Sequence, residues 1–266
     1  MPIQAIEPKR LYRQISEQLR TLIQRGEFPV GTRLPAERDL AEKLGVSRPS
    51  LREALIALEV EGYIEVRMGS GIYVCEPASN QPGHDLDAEE GPLELIQARA
   101  VLEGEVAALA AKTGRKAQFD AVEEAIDAME ADADAGVKPL ETDRLFHIRV
   151  AEATGNSVLV GTVRRLNDLR LGPLYDQLHS HFETEDTWRQ AIEEHRDVLA
   201  ALRAKDPVKA RAAMRRHMDI AFKRMTATLT PTPKPKPKTA AKVAVKTGRT
   251  AARKPALPAK GIKKVG

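Results

Sequence analysis

The chain of 266 residues holds a single cysteine, Cys75. No internal disulfide framework can be built from one thiol, and such usage fits a reducing compartment. Aromatic residues are scarce, at one Trp, four Tyr and five Phe. No apolar run approaches the roughly 20 residues of a membrane span. The stretch MPIQAIEPKRLYRQ lacks the apolar h-region of a signal peptide. These absences lead us to expect a soluble, cytoplasmic protein with no membrane partner. Acidic residues are also missing from one region. Residues 226–266 carry 11 basic side chains and no acidic one, whereas residues 79–225 carry 20 basic and 27 acidic, and residues 1–78 carry 11 of each. A basic tail behind an acidic middle points to a polyanion partner.

What is present divides the chain into four parts. Residues 229–266 are rich in Lys, Pro and Ala and contain no aromatic. They offer too little apolar surface to offset chain entropy, so a disordered tail is expected, serving either as a nonspecific DNA arm or as a solubilising extension. Residues 77–92 are polar and hold three prolines and two glycines, as a linker does; His84 falls here and is expected in solvent. Residues 93–228 read as helices throughout, with segments expected near 92–113, 118–135, 139–154, 156–180, 185–203 and 207–228. Aliphatics and alanine dominate there, which suits an all-α bundle.

Residues 1–76 carry three helical patterns and a hairpin. LYRQISEQLRTLIQRG places Leu11, Ile15, Leu19 and Leu22 or Ile23 on one face, with Gly26 at the C-terminal cap. PAERDLAEKLG is a short helix opened by Pro35 and closed by Gly45. VSRPSLREALIALEVEGY is capped by Ser47, has Pro49 in its first turn and turns Leu51, Leu55 and Leu58 inward. YIEVRMGSGIYV alternates around a glycine-rich turn, a hairpin signal. Two short helices joined by a tight turn and followed by a β wing form a winged helix-turn-helix. Its second helix would enter a DNA major groove by the turn carrying Arg48, Ser50 and Arg52, because arginine can bond guanine O6 and N7 together while hydroxyls and helix N-termini suit phosphates. Arg38 can reach the same groove, and Arg67, Gly69 and Gly71 lie at the wing.

The stretch GTRLPAERDLAEKLGVSRPSLREALIALEVEGYIEVRMGSGIYV resembles the N-terminal domain of the GntR family of bacterial transcription regulators. That resemblance implies Arg38, Arg48 and Arg52 as base and phosphate readers, supported by Ser47, Ser50 and Gly69. One departure is Ala36, where the family often has serine. Losing that hydroxyl cap costs about 1 kcal/mol.

In the helical region Asp143 and His147 are four residues apart and so share one helix face. This spacing suits a surface ion pair or half of a metal site. His195 and His217 lie about nine residues before and about eleven after the break at 205–207, so on antiparallel helices they fall at similar heights. One carboxylate and three imidazoles suit a divalent ion such as Zn, Ni or Mn, with positions open to a ligand. LELIQARAVLEGEVAALAA, DRLFHIRVAEATGNSVL and EEHRDVLAALRAKDPVKARAAMRRHM resemble the FCD ligand-binding domain of the FadR branch of the same family. Many members hold a metal through this Asp-x-x-x-His, His and His pattern, and the metal coordinates a carboxylate effector. Arg99 is then a candidate for the effector carboxylate or a partner for Glu103, four residues on. Asn167 is a candidate for the effector or for solvent. Arg144 and Arg170 are further candidates, and His179, His181 and Trp188 lie around a helix break, where a surface or packing role is expected ahead of a place on the cavity rim. RLNDLRLGPLYDQLH and TWRQAIEEH are most similar to the hexuronate-responsive subgroup. The expectation is a homodimeric regulator of a palindromic operator, a repressor controlled by a small carboxylate, and not an enzyme. The alternatives are a metalloenzyme fused to a DNA-binding domain and a nonspecific architectural protein. The His-Glu-x-x-His, paired Glu-x-x-His and Gly-x-Ser-x-Gly patterns of metallopeptidases, di-iron bundles and hydrolases are absent.

Overall fold

Apolar residues at spacings of three and four build the first helix, α1 (Leu11–Gln24). It buries Tyr12, Ile15, Leu19 and Ile23, while Leu11 is 48% exposed. The buried seam thus starts at Tyr12, one residue later than expected. Helix α2 (Glu37–Leu44) begins two residues after Pro35. Ala36 occupies its N-cap without a side-chain bond, and Gly45 ends it in the left-handed region at φ 66°. Helix α3 (Arg48–Val60) is capped by Ser47, whose Oγ accepts from the Ser50 N–H at 3.2 Å. Strands β1 (Ile64–Arg67) and β2 (Gly71–Val74) pair antiparallel, Ile64 opposite Val74 and Arg67 opposite Gly71. Gly69 turns the hairpin at φ 76°, a conformation that costs glycine little.

The computed structural model describes residues 10–76 and 90–227. The expected tail and His84 lie outside the described residues, as does the expected linker up to residue 89. Seven further helices follow. They are α4 (Pro92–Thr113), α5 (Lys116–Asp134), α6 (Leu140–Glu152), α7 (Ser157–Asp168), α8 (Pro173–Phe182), α9 (Glu185–Arg203) and α10 (Pro207–Met225). The single helix expected over 156–180 is therefore two. The break falls at residues 169–172, where Gly172 is extended and Pro173, with no N–H to donate, starts α8. Helix α4 lies along α10, and α9 packs on α10 and α5. Small buried residues of α4, Ala107, Ala110 and Ala111 among them, permit that close approach. Helices α9 and α10 reverse direction at Lys205, the one non-glycine residue with positive φ among those described. Asp206 then caps α10 by accepting from the Val208 and Lys209 N–H groups.

Every residue of α3 from Leu51 to Leu58 is buried. This is more than a helix-turn-helix alone requires. It follows because α1 and α2 cover one side of α3 while α8 and α4 cover another. At the α4 contact, Glu53 Oε1 accepts from the Leu93 N–H at 2.7 Å. Burial pushes the Glu53 carboxyl up to about 7, against the lowering effect of that hydrogen bond. The unfolded chain releases this proton near 4.5, so between those values the folded state binds more protons and stability falls as pH rises. The expected loss from Glu53 is up to about 3 kcal/mol between pH 4.5 and 7. Urea titrations of Glu53→Gln at pH 5 and pH 7 should show that part of the slope removed. An unchanged slope would refute the assignment.

Candidate metal and effector site

Helix α6 presents Asp143 and His147 one turn apart, α9 presents His195, and α10 presents His217. All four are buried, and one ligand atom from each lies within 4.8 Å of the others. His195 Nε2 is 3.1 Å from His217 Nε2, so the antiparallel pair does bring these histidines to one height. Asp143 Oδ1 lies 3.6 Å from His195 Nε2 and 3.8 Å from His147 Nε2. Phe146 stacks on the His195 ring at 3.8 Å between centroids and closes the cluster from that side.

The groups behind these four hold them in place. Glu103 of α4 meets His147 Nδ1 at 2.5 Å. Glu194 meets His217 Nδ1 at 2.8 Å and accepts from Arg224. Carboxylates on the far nitrogens leave the Nε2 atoms turned inward, as in carboxylate–histidine–metal arrangements. Burial lowers the His147 and His195 imidazoles, and the nearby His217 lowers His195 further. Burial alone would raise Asp143, but Arg170 and the neighbouring histidines outweigh it and hold the carboxyl well below its usual range. Glu103 is held to about 2, because Arg99 and His147 outweigh its burial. The ionised Asp143 and the lowered His147 and His195 imidazoles favour deprotonated donors, which is what a divalent ion requires. His147 Nε2 is buried with no hydrogen-bond partner, so the residues fit such an ion.

A cavity of about 60 Å³ opens beside the cluster, lined by Arg99, Asp143, His147, Arg170, His179 and Trp188 among others. Arg99 makes the Glu103 pairing, one of its two expected roles. Its Nε donates to Glu103 at 2.7 Å, while its Nη2 is buried beside the cavity without a partner. Arg170 Nη1 donates to Asp143 at 2.6 Å, and its Nε is also unpartnered. Asn167 departs from expectation. It is buried behind the cavity wall, donating to Glu103 and the Val163 carbonyl and accepting from Arg170. It braces two site residues and does not line the cavity. Arg144 is engaged elsewhere, with Asp168 and Glu141. His179 and Trp188, expected mainly on the surface or in packing, are cavity walls. His181 faces away, 2.6 Å from Glu59 of α3.

On the winged domain Arg38, Ser47, Arg48 and Gly69 are exposed and Ser50 is half-buried. Arg52 is not with them. It is 2% exposed, donates to both oxygens of Glu37 at 3.2 and 3.3 Å, and has the Phe182 ring 5.9 Å away. The expectation of Arg52 as a DNA reader is therefore corrected: the side chain ties α3 to α2 beneath α8. Removing one member of a buried ion pair leaves the other charge unmet. Arg52→Ala should cost about 3–5 kcal/mol of stability, measured by urea denaturation. A loss within about 0.5 kcal/mol, the range of surface substitutions, would contradict the brace.

Residues 11–74 match the pattern described as bacterial regulatory proteins, gntR family, and residues 94–220 match the FCD domain. The chain is 40% identical over 226 residues to the Exu regulon transcriptional regulator of Escherichia coli K12, covering 80% of this chain and 83% of that one. It is 36% identical to the Uxu operon transcriptional regulator of the same strain, covering 81% and 86%. It is 32% identical to the HTH-type transcriptional regulator LutR of Bacillus subtilis, covering 74% and 93%. A solved structure, Streptococcus agalactiae GntR, shares 31% identity over 81% of this chain and 100% of that one, with a TM-score of 0.43. The three curated relatives, in Escherichia coli and Bacillus subtilis, are regulators, which sets aside the metalloenzyme alternative. The chain belongs to the GntR family of transcription regulators and carries an FCD domain behind its DNA-binding domain.

Proposed function

We propose that the chain is a homodimeric repressor whose FCD domain senses a hexuronate through a divalent ion held by Asp143, His147, His195 and His217. The observation that carries this reading is the pair of unpartnered buried donors, Arg99 Nη2 and Arg170 Nε, on the wall of a cavity that adjoins the four-residue cluster. Two guanidinium groups there balance two carboxylates, Glu103 and Asp143. A divalent ion leaves surplus positive charge, and an anionic ligand neutralises it. A bound Zn, Ni or Mn ion supplies Lewis-acid coordination to the ligand carboxylate. Arg99 and Arg170 orient that carboxylate through charge-assisted hydrogen bonds. The hexuronate class is supported by the similarity to the Exu and Uxu regulators.

DNA is met by the exposed face of the winged domain. Arg48 at the start of α3 reads guanine in the major groove. Ser47, Ser50 and Arg38 meet phosphates and flanking groups, and Gly69 lets the wing backbone approach closely. Two copies give two such faces for a palindromic operator. The 11 basic side chains of residues 226–266 add salt-sensitive phosphate contacts. Ligand state reaches DNA through α8. One side of α8 lines the cavity with Tyr175 and Phe182. His181 of the same helix holds Glu59 of α3, and Phe182 itself faces Arg52.

The reading is tested on the purified full chain by metal analysis and thermal unfolding with galacturonate or glucuronate. About one divalent ion per chain is expected, from a site of this donor type. The uronate should raise the unfolding temperature in a concentration-dependent manner, and a chelator should abolish the shift. Absence of both metal and shift would contradict the proposal.

A further inference from the structure

The two unpartnered guanidinium donors are not the only unmet polar atoms on the cavity wall. A second set of buried polar atoms, none of them on a metal ligand, lines the same cavity. His179 Nδ1 lies against Glu183 Oε1, which favours the tautomer protonated on Nδ1 and leaves Nε2 as the acceptor. His179 Nε2, Glu183 Oε2 and Trp188 Nε1 are buried and meet no partner, and all three side chains line the cavity. Buried polar atoms are rarely left unmet without a reason. Here the chemistry of the missing partner can be read from the three atoms. The imidazole nitrogen and the carboxyl oxygen accept, and the indole N–H donates. A second carboxylate on the ligand could not satisfy two acceptors, and an alkyl end could satisfy none of the three. Hydroxyl groups both donate and accept, and two adjacent hydroxyls match the set.

We infer that His179, Glu183 and Trp188 form a hydroxyl-reading pole that selects polyhydroxylated monocarboxylates over dicarboxylates and unsubstituted acids. This rests on the reading of the cavity as an effector site and adds the basis of its selectivity. His179 supports it electrostatically. Burial and the positive charge of Arg170 hold its imidazole well below the usual range, so the ring is neutral and its Nε2 is free to accept. A site built to hydrogen-bond hydroxyls discriminates strongly against analogues that lack them, because its own groups are then left unpaired.

The test is calorimetric titration of the metal-loaded full chain with galacturonate, hexanoate and adipate. These share a six-carbon chain and differ in hydroxyls and in a second carboxylate. The wild type should bind galacturonate at least about 100-fold more tightly than either of the others. Trp188→Phe removes the N–H together with part of the ring, and Glu183→Gln is the size-matched change beside it. Trp188→Phe and Glu183→Gln should each weaken galacturonate about 10-fold and leave hexanoate and metal content unchanged. Equal binding of galacturonate and hexanoate by the wild type would overturn the pole and leave the carboxylate site standing. So would unchanged galacturonate affinity in both variants. Failure of the wild type to bind any of the three acids would overturn the effector reading, and this inference with it.

Discussion

The bundle is organised around the buried carboxylate of Asp143. An ionised group this far from water must be met on every side or it destabilises the fold. One oxygen receives Arg170, and the other faces His147 and His195. Arg170 lies in the break between α7 and α8, so its bond to Asp143 anchors the segment from which α8 departs. Helix α8 in turn lies against α3. The charge balance in the core and the placement of the DNA-binding domain are thus parts of one arrangement. A ligand that draws on Arg170 or shifts α8 changes both, and coupling between distant sites needs such differential contact.

The cavity wall carries two kinds of polar group. Near the cluster the walls are guanidinium groups whose inner edges are held by Glu103 and Asp143, leaving outer edges for an anion. His179 and Glu183 lie against each other, and their unmet atoms belong to the same cavity wall as the Trp188 N–H. The apolar rings of Tyr175 and Phe182 line the cavity with them. Such sites bury most of a small ligand and place a few polar groups to orient it.

Much of this was legible in the sequence because it is local. Gly45, Ser47 and the glycine-rich hairpin declare the winged helix-turn-helix through capping and turn chemistry. The metal-type quartet was legible because a four-residue spacing shares a helix face and two arms of equal length about residues 205–207 bring His195 and His217 level. What could not be read depends on contacts between distant segments. Arg52 has the sequence environment of an exposed helix residue, and only the arrival of α8 with Phe182 buries it against Glu37. Glu103 and Glu194 look like solvated positions until His147 and His217 approach them. Asn167 is buried on α7, where Glu103 and Arg170 engage its side chain. The break at residues 169–172 had a local signal in Gly172–Pro173 that a continuous amphipathic reading passed over. His179 and Glu183 share the spacing of Asp143 and His147, yet nothing local distinguishes a cavity wall from a surface ion pair.

In the proposed function, ligand occupancy at the buried cluster is felt at α3 through α8. The most direct measurement is the affinity of the full chain for a tight-binding DNA palindrome, with and without saturating galacturonate. It should be made for the wild type and for His181→Gln, which alters the Glu59 contact and leaves the cavity wall intact. The wild type should lose about 5- to 150-fold in DNA affinity, the usual span of allosteric coupling. His181→Gln should bind galacturonate equally well and lose most of that response. Galacturonate binding without any change in DNA affinity, or a full response in His181→Gln, would contradict the account.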